Sequence, residues 1–269
     1  MENRIGREFQ VELPVGYVDP DGRPHRTVRL RKMTGQEEAL LADKKLRQNG
    51  AKLVTEVLAS TVRQLGDISP VSRQVIAQLC SPDRNFLLLE LRKVTFGSEM
   101  ESTYTCPACS GHTTVVQDLD ELPLRRLNGE YTKEIVVDLD DGYEDHAGEV
   151  YTTMVFRLPT GEDEERIQSV VKENASTGMN ALLTRCLTTF GNMPAARREA
   201  LGTKLICDLT MSDRARIERT FRAEMPGVDM TQRIECENCG REFQASLDLT
   251  RFFSLRQTAS PGYAGRSSH

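Results

Sequence analysis

Residues 8–33 carry apolar side chains at alternate positions: Phe9, Val11 and Leu13, then Val28, Leu30 and Met33. A period of two suits half-buried strands, and Asp19-Pro20-Asp21-Gly22 between them is a turn sequence. The segment is expected to form a β-hairpin. The period then changes. Thr34-Gly35-Gln36-Glu37 has capping-box spacing, in which the Thr hydroxyl takes the N3 amide and Glu37 reaches back to the cap amide. A helix is expected from there to about residue 47, with Glu37, Glu38, Lys44, Lys45 and Arg47 on a solvated face. Leu53, Val54, Val57, Leu58, Val62 and Leu65 recur at three-to-four spacing, which predicts a second helix over 51–65 with one core face, stopped by Gly66. Pro70 suits the first turn of a third helix over 71–80, and Asp83 is expected to cap a fourth running to about residue 94.

The same order of signals returns further along the chain. Val11-Glu12-Leu13 and Gly16-Tyr17 recur 126 residues later as Val137-Asp138-Leu139 and Gly142-Tyr143. At that offset Arg31 meets Arg157, and Thr34-Gly35 meets Thr160-Gly161. With an offset of 130, Asp83-Arg84 meets Asp213-Arg214, Arg92 meets Arg222, Phe96-Gly97 meets Pro226-Gly227, and Asp118-Leu119 meets Asp248-Leu249. An ordered series of this kind points to a tandem duplication. The second helical stripe becomes Met179, Leu182, Leu183, Cys186, Leu187 and Phe190, ending at Gly191. The fourth helix differs. Phe86, Leu87, Leu88, Leu89 and Leu91 make the first copy apolar, whereas Arg214, Arg216, Glu218, Arg219 and Arg222 make the second charged. The first copy is therefore either more deeply buried or covered by a partner.

Each repeat closes on a strand, a C-x-x-C knuckle and another strand: 101–105, Cys106–Cys109 and 113–119, then 231–235, Cys236–Cys239 and 242–249. Thiolates two apart in a tight turn can face one metal, and the glycine nearby (Gly111 after Ser110, or Gly240) relieves the turn. Four sulfurs complete a closed tetrahedral zinc site. His112 gives the first knuckle a third donor, but its counterpart is Glu242, so two separate sites would each lack ligands. One shared site lacks none. The expected centre is one structural Zn²⁺ per chain on Cys106, Cys109, Cys236 and Cys239. Disulfides and free thiols are the alternatives, but seven cysteines without a secretion signal suit a reducing compartment. Cys80, Cys186 and Cys207 lie in apolar helical runs and are expected to be buried small hydrophobes.

The fold expected is thus α+β: two tandem repeats, each a β-hairpin, a small helical bundle and half a zinc ribbon. Repeat 1 covers 1–126 with a linker over 121–130, repeat 2 covers 127–252, and a tail covers 253–269. A chain of 269 residues suffices for two cores. Its net charge of −5 argues against non-specific nucleic-acid binding. No apolar run approaches the ~20 residues of a membrane span. Met1-Glu2-Asn3-Arg4 is no signal peptide, so the chain is expected to be made in the cytoplasm. The sequence contains no H-E-x-x-H, G-x-S-x-G, Walker A or G-x-G-x-x-G motif, and a Cys₄ zinc offers no open position to water. Enzyme activity is not expected. The tail after Leu255 is rich in Ser and Gly. Phe252, Phe253 and Leu255 at its start are expected to anchor it to the body or a neighbour.

The first repeat reads Arg29-Leu30-Arg31-Lys32-Met33-Thr34-Gly35-Gln36-Glu37-Glu38 at its helix start, then Asp83-Arg84-Asn85-Phe86-Leu87-Leu88-Leu89-Glu90-Leu91-Arg92, then Cys106-Pro107-Ala108-Cys109. This order resembles the baseplate protein family of contractile-tailed bacteriophages, whose members act in assembly of the baseplate hub. Related proteins occur in phage-like contractile injection systems. The resemblance implies a non-enzymatic baseplate component that links neighbouring subunits and is present in multiple copies in a symmetric assembly. Its partners would be other baseplate, hub or tail-tube proteins. It would occupy the host cytoplasm during assembly and the particle afterwards. Two other functions compete: a transient assembly chaperone absent from the finished particle, and a zinc-ribbon nucleic-acid adaptor. The acidic balance and the lack of aromatic-basic interleaving in the knuckles weigh against the adaptor.

Overall fold

The computed structural model describes residues 8–247. It is a mixed α+β fold with nine α-helices and several small antiparallel sheets among the described residues. The N-terminal half runs β1 (Glu8–Val18), β2 (Pro24–Arg31), α1 (Gly35–Ala42), a 3₁₀ turn at Leu46–Gln48, α2 (Gly50–Thr61), β3 (Val62–Leu65), α3 (Arg73–Gln78), α4 (Ser81–Phe96), β4 (Glu99–Thr105), β5 (His112–Asp118) and β6 (Leu124–Arg125). The C-terminal half runs β7 (Glu134–Glu144), β8 (Val150–Arg157), α5 (Gly161–Glu173), α6 (Ala175–Cys186), β9 (Leu187–Phe190), α7 (Ala195–Leu201), α8 (Lys204–Cys207), α9 (Met211–Glu224), β10 (Gly227–Val228), β11 (Thr231–Glu235) and β12 (Glu242–Ser246).

The expected hairpin is β1–β2, but β3 joins it as a third strand. The expected 51–65 helix stops at Thr61, because Leu65 and Gln64 pair with Val28 and Arg29 on the open edge of β2. The stripe Val62, Leu65 is as compatible with strand as with helix over four residues. The C-terminal sheet β7-β8-β9 makes the same move: α6 ends at Cys186, and Phe190 pairs with Met154.

Both leading strands are irregular at one place. The β1–β2 register shifts between Glu12 and Tyr17, and the β7–β8 register between Asp138 and Tyr143. Amides inside such a bulge have no ladder partner and must find another acceptor. Asp83 accepts the N–H of Val15 and of Gly16, each at 2.8 Å. Asp213 accepts those of Asp140 at 2.7 Å and Gly142 at 2.8 Å. Gly16 and Gly142 take φ of 100° and 75°, in the left-handed region that favours glycine. Neither aspartate is an N-cap, contrary to the expectation for Asp83. Cys80 and Thr210 hold the cap positions, and the carboxylates sit in the first helical turn, turned outward to the strand. Their negative charge still lies at the favourable end of the helix dipole.

Two main cores follow the halves. Leu13, Val28, Leu30, Leu58, Ile76 and Leu88 lie in one. Ile135, Val137, Met154, Phe156, Phe190 and Leu205 lie in the other. A third cluster of Leu89, Met100, Leu119 and Leu247 lies under the knuckle hairpins. The apolar α4 feeds two of these cores and all five of its expected apolar residues are buried, so burial within the chain accounts for its composition. The 121–130 segment is more than a linker: β6 pairs with β10, Gly227 opposite Arg125 and Val228 opposite Leu124. Glu37 is fully buried and gripped by Arg31 at 2.7 Å, so it leaves the solvated face expected for it. Cys186 is buried as expected and Cys80 nearly so, but Cys207 is exposed. Phe252, Phe253 and Leu255, with the rest of the tail, lie outside the described residues.

Candidate metal centre

Each knuckle is the turn of a two-stranded hairpin. In the first, β4 and β5 pair down to Thr105 opposite His112. The Cys106 N–H then donates to Gly111 O at 2.8 Å and the Ser110 N–H to Cys106 O at 2.9 Å. In the second, β11 and β12 pair down to Glu235 opposite Glu242. Cys236 N–H donates to Arg241 O at 3.0 Å and Gly240 N–H to Cys236 O at 2.8 Å. Ser110 and Gly240 occupy the left-handed position, with φ of 58° and 67°. The first knuckle therefore turns on Ser110 rather than on its glycine. Gly111 is small for another reason: a Cβ there would lie 2.9 Å from Asn238 Cβ and 3.2 Å from Cys109 Sγ.

The hairpins bring all four cysteines together. Their Sγ atoms lie within 4.8 Å of one another. Across the knuckles, Cys106 Sγ is 3.8 Å from Cys239 Sγ, and Cys109 Sγ is 3.6 Å from Cys236 Sγ. A disulfide would need about 2.05 Å. Four sulfurs at about 2.3 Å from a tetrahedral Zn²⁺ stand about 3.8 Å apart, so this donor set fits that ion. Cys106 and Cys236 are buried, and Cys109 and Cys239 face the surface. His112 is exposed, hydrogen-bonded to Thr105 Oγ1 at 3.3 Å and outside the sulfur cluster.

Hydrogen bonds favour the thiolate at Cys109. Asn238 Nδ2 donates to Cys109 Sγ at 3.5 Å and the Gly111 N–H at 3.4 Å. They pull the Cys109 thiol down to about 6, the Asn238 bond most strongly. Cys239 accepts help from the Arg241 backbone, yet its hydrogen bond with Cys109 leaves it protonated and pushed up to about 12. Cys109 and Cys239 are thus shifted in opposite directions, because charge on one sulfur disfavours charge on its neighbour.

Sequence reasoning missed the braces between the knuckles. Glu237 N–H donates to Thr113 Oγ1 at 3.1 Å, and Gln117 Nε2 donates to both Gln232 Oε1 and, at 2.8 Å, Tyr104 OH. Asn238 lies between two cysteines but supports a third, 129 residues away. Nothing local marks such a pair. The arrangement as a whole offers a four-sulfur cage.

The chain belongs to the T4 bacteriophage base plate protein family, whose model matches residues 7–254. No curated protein and no solved structure matches it significantly. Membership makes the protein a baseplate component of a phage virion that interacts with other baseplate components. Among the described residues, no helix is long and apolar enough to cross a membrane.

Proposed function

We propose that this chain is a non-enzymatic structural element of a contractile-tail baseplate that links neighbouring subunits, and that its two halves are tandem copies stapled by one Zn²⁺. The boundaries proposed are 1–126 and 127–252, followed by the tail. The carrying observation is the meeting of Cys106 and Cys109 with Cys236 and Cys239 within 4.8 Å across at least 127 residues of sequence. The matched bulges, each served by an aspartate from a distant helix, support the duplication.

Bound Zn²⁺ would supply a closed tetrahedral cross-link without an open coordination position. The chain does the rest. The β4–β5 and β11–β12 hairpins aim the sulfurs, Asn238 and Gly111 favour the Cys109 thiolate, and the β6–β10 pair holds the hairpins over one apolar cluster. A cross-link of this kind closes a loop of over a hundred residues, so it opposes separation of the halves under load. That suits a linker in a machine that changes shape.

Quantitative mass spectrometry of purified particles tests the function. Stoichiometric presence in finished particles is expected. Presence only in assembly intermediates would make the protein a chaperone and overturn the structural role.

A further inference from the structure

Besides the knuckles and the β6–β10 pair, the two halves meet at a small, specific contact. The corner between β8 and α5 in the C-terminal half enters a groove between α2, α3 and α4 of the N-terminal half. Ser81 N–H donates to Pro159 O at 2.7 Å, and Gly161 N–H donates to Leu79 O at 3.1 Å. Behind this backbone pairing, Thr55 Oγ1 donates to Glu165 Oε1 at 2.5 Å and Arg73 to Glu165 Oε2 at 2.8 Å. Glu164 lies 3.6 Å from the buried Arg84 guanidinium. The corner fits because residue 161 is glycine: a Cβ there would collide with the Arg84 guanidinium.

The C-terminal half has a groove built in the same way. Arg214 donates to Ile206 O at 3.3 Å, as Arg84 donates to Ile76 O at 3.0 Å. Leu209-Thr210-Met211 leads into α9 as Leu79-Cys80-Ser81 leads into α4. Between α6 and α9 lies a cavity of about 540 Å³ lined by Met179, Leu182, Leu183, Met211, Arg214 and Phe221. Met179 and Met211 are 50% and 80% exposed. Asn180, the sixth residue of α6 as Thr55 is of α2, has a buried Oδ1 without a hydrogen-bond partner. In the N-terminal half that place meets Glu165, whose counterpart on the other corner is Ala39.

A matching corner also exists. Thr34 and Thr160 both form capping boxes, with Glu37 and Asp163. Arg31 and Arg157 grip those two acids and each also donates to the backbone, at Ser60 O and Arg185 O. Among the described residues, however, nothing covers the outer side of the N-terminal corner. Thr34, Gly35, Gln36 and Glu38 are exposed, and a Cβ on Gly35 would meet nothing within 4 Å. In its own chain this corner does not line the open groove.

We infer that the α6–α9 groove of one copy takes the Met33–Ala39 corner of a second copy, head to tail. The contact repeats between chains what the β8–α5 corner does within one. Met33 O and the Gly35 N–H face Met211 N–H and Leu209 O, and Glu38 faces Arg214 as Glu164 faces Arg84. The Glu38–Arg214 charges and the backbone hydrogen-bonding pattern therefore match, and the exposed methionines are covered. A contact between unlike surfaces of identical chains builds a ring where the rotation closes. The inference rests on reading the chain as a part that links neighbours, and it names the neighbour.

Sedimentation velocity of the full chain against concentration tests it, beside Gly35→Leu. In the free protein the new side chain points into open space, so the melting temperature should match or exceed wild type. In the contact it meets Arg214, so association should be lost. A photo-crosslinker at position 211, in a mixture of ¹⁵N-labelled and unlabelled protein, should join the peptide bearing residues 33–39 of the other isotope. A wild type monomeric at every concentration, a Gly35→Leu variant that associates like wild type, or crosslinks to residues 248–269 would each overturn the inference. Those results leave the particle census untouched. Absence from particles, with association intact, would instead overturn the structural role.

Discussion

The Asp83 carboxylate accepts the Gly16 N–H at 2.8 Å across 67 residues of sequence. Its second oxygen accepts Val15 N–H, so one side chain satisfies two bulge amides that the β1–β2 ladder leaves over. Removing it orphans both in a buried site, at about 1–3 kcal/mol for each unmade bond. Asp83→Ala is expected to lower unfolding free energy by roughly 3 kcal/mol. Asp213→Ala should cost less, since its partners are only part-buried and water can replace the carboxylate. Urea unfolding of both variants measures the difference, and equal losses would contradict the account.

Two buried carboxylates give opposite dependences on pH. Burial favours the neutral form of Glu37, but Arg31 and the Thr34 amide outweigh it and hold the group at about 2, against 4.5 ordinarily. Its contribution is fully present above pH 4.5 and is lost as pH falls through about 2. Burial dominates at Asp83 and lifts it to about 6 from 3.8 despite the Val15 and Gly16 amides. The folded state then holds that proton longer, so this contribution is greatest below pH 3.8 and is lost as pH rises through about 6. Relative to Asp83→Asn, wild type should lose stability between about pH 4 and 6. Relative to Glu37→Gln, it should lose stability below about pH 4. Denaturation series across pH check both signs.

The paired glycines at the helix starts should respond differently to one methyl group. At Gly161 it meets the buried Arg84 guanidinium, and forcing that side chain aside costs about 1–3 kcal/mol. At Gly35 it meets nothing, and replacing glycine in a helical turn stabilises by roughly 0.5 kcal/mol. Thermal melts of Gly161→Ala and Gly35→Ala should move in opposite directions.

Elemental analysis of protein purified without chelator should find one zinc per chain. Two per chain would mean separate knuckle sites, and none would remove the staple. Cys236→Ser should abolish binding and cost at least about 3 kcal/mol, since metal binding at such a site is coupled to folding. A strong chelator should reproduce that loss in wild type and leave the variant unchanged.

Much of this chain can be read from its pattern alone. The alternation of Phe9, Val11 and Leu13 marks a strand, Thr34 to Glu37 marks a helix start, and Cys-x-x-Cys marks a knuckle, because each signal is carried by residues a few positions apart. The matching order of these signals gives Cys106 and Cys109 the same setting as Cys236 and Cys239, and the four meet in one cluster. What the chain does across long separations lies beyond such signals. Val62–Leu65 leaves its helix only because β2 has an open edge, and β6 is a strand only because β10 comes to lie beside it. Asp83 and Asp213 resemble helix caps in sequence; the bulges that turn them outward belong to strands some seventy residues away. Glu37 looks solvated until Arg31 and α2 close over it. Local backbone preference is written in neighbouring residues, whereas the partner of a buried polar group is chosen by whichever distant segment the packing of the cores brings within about 3 Å.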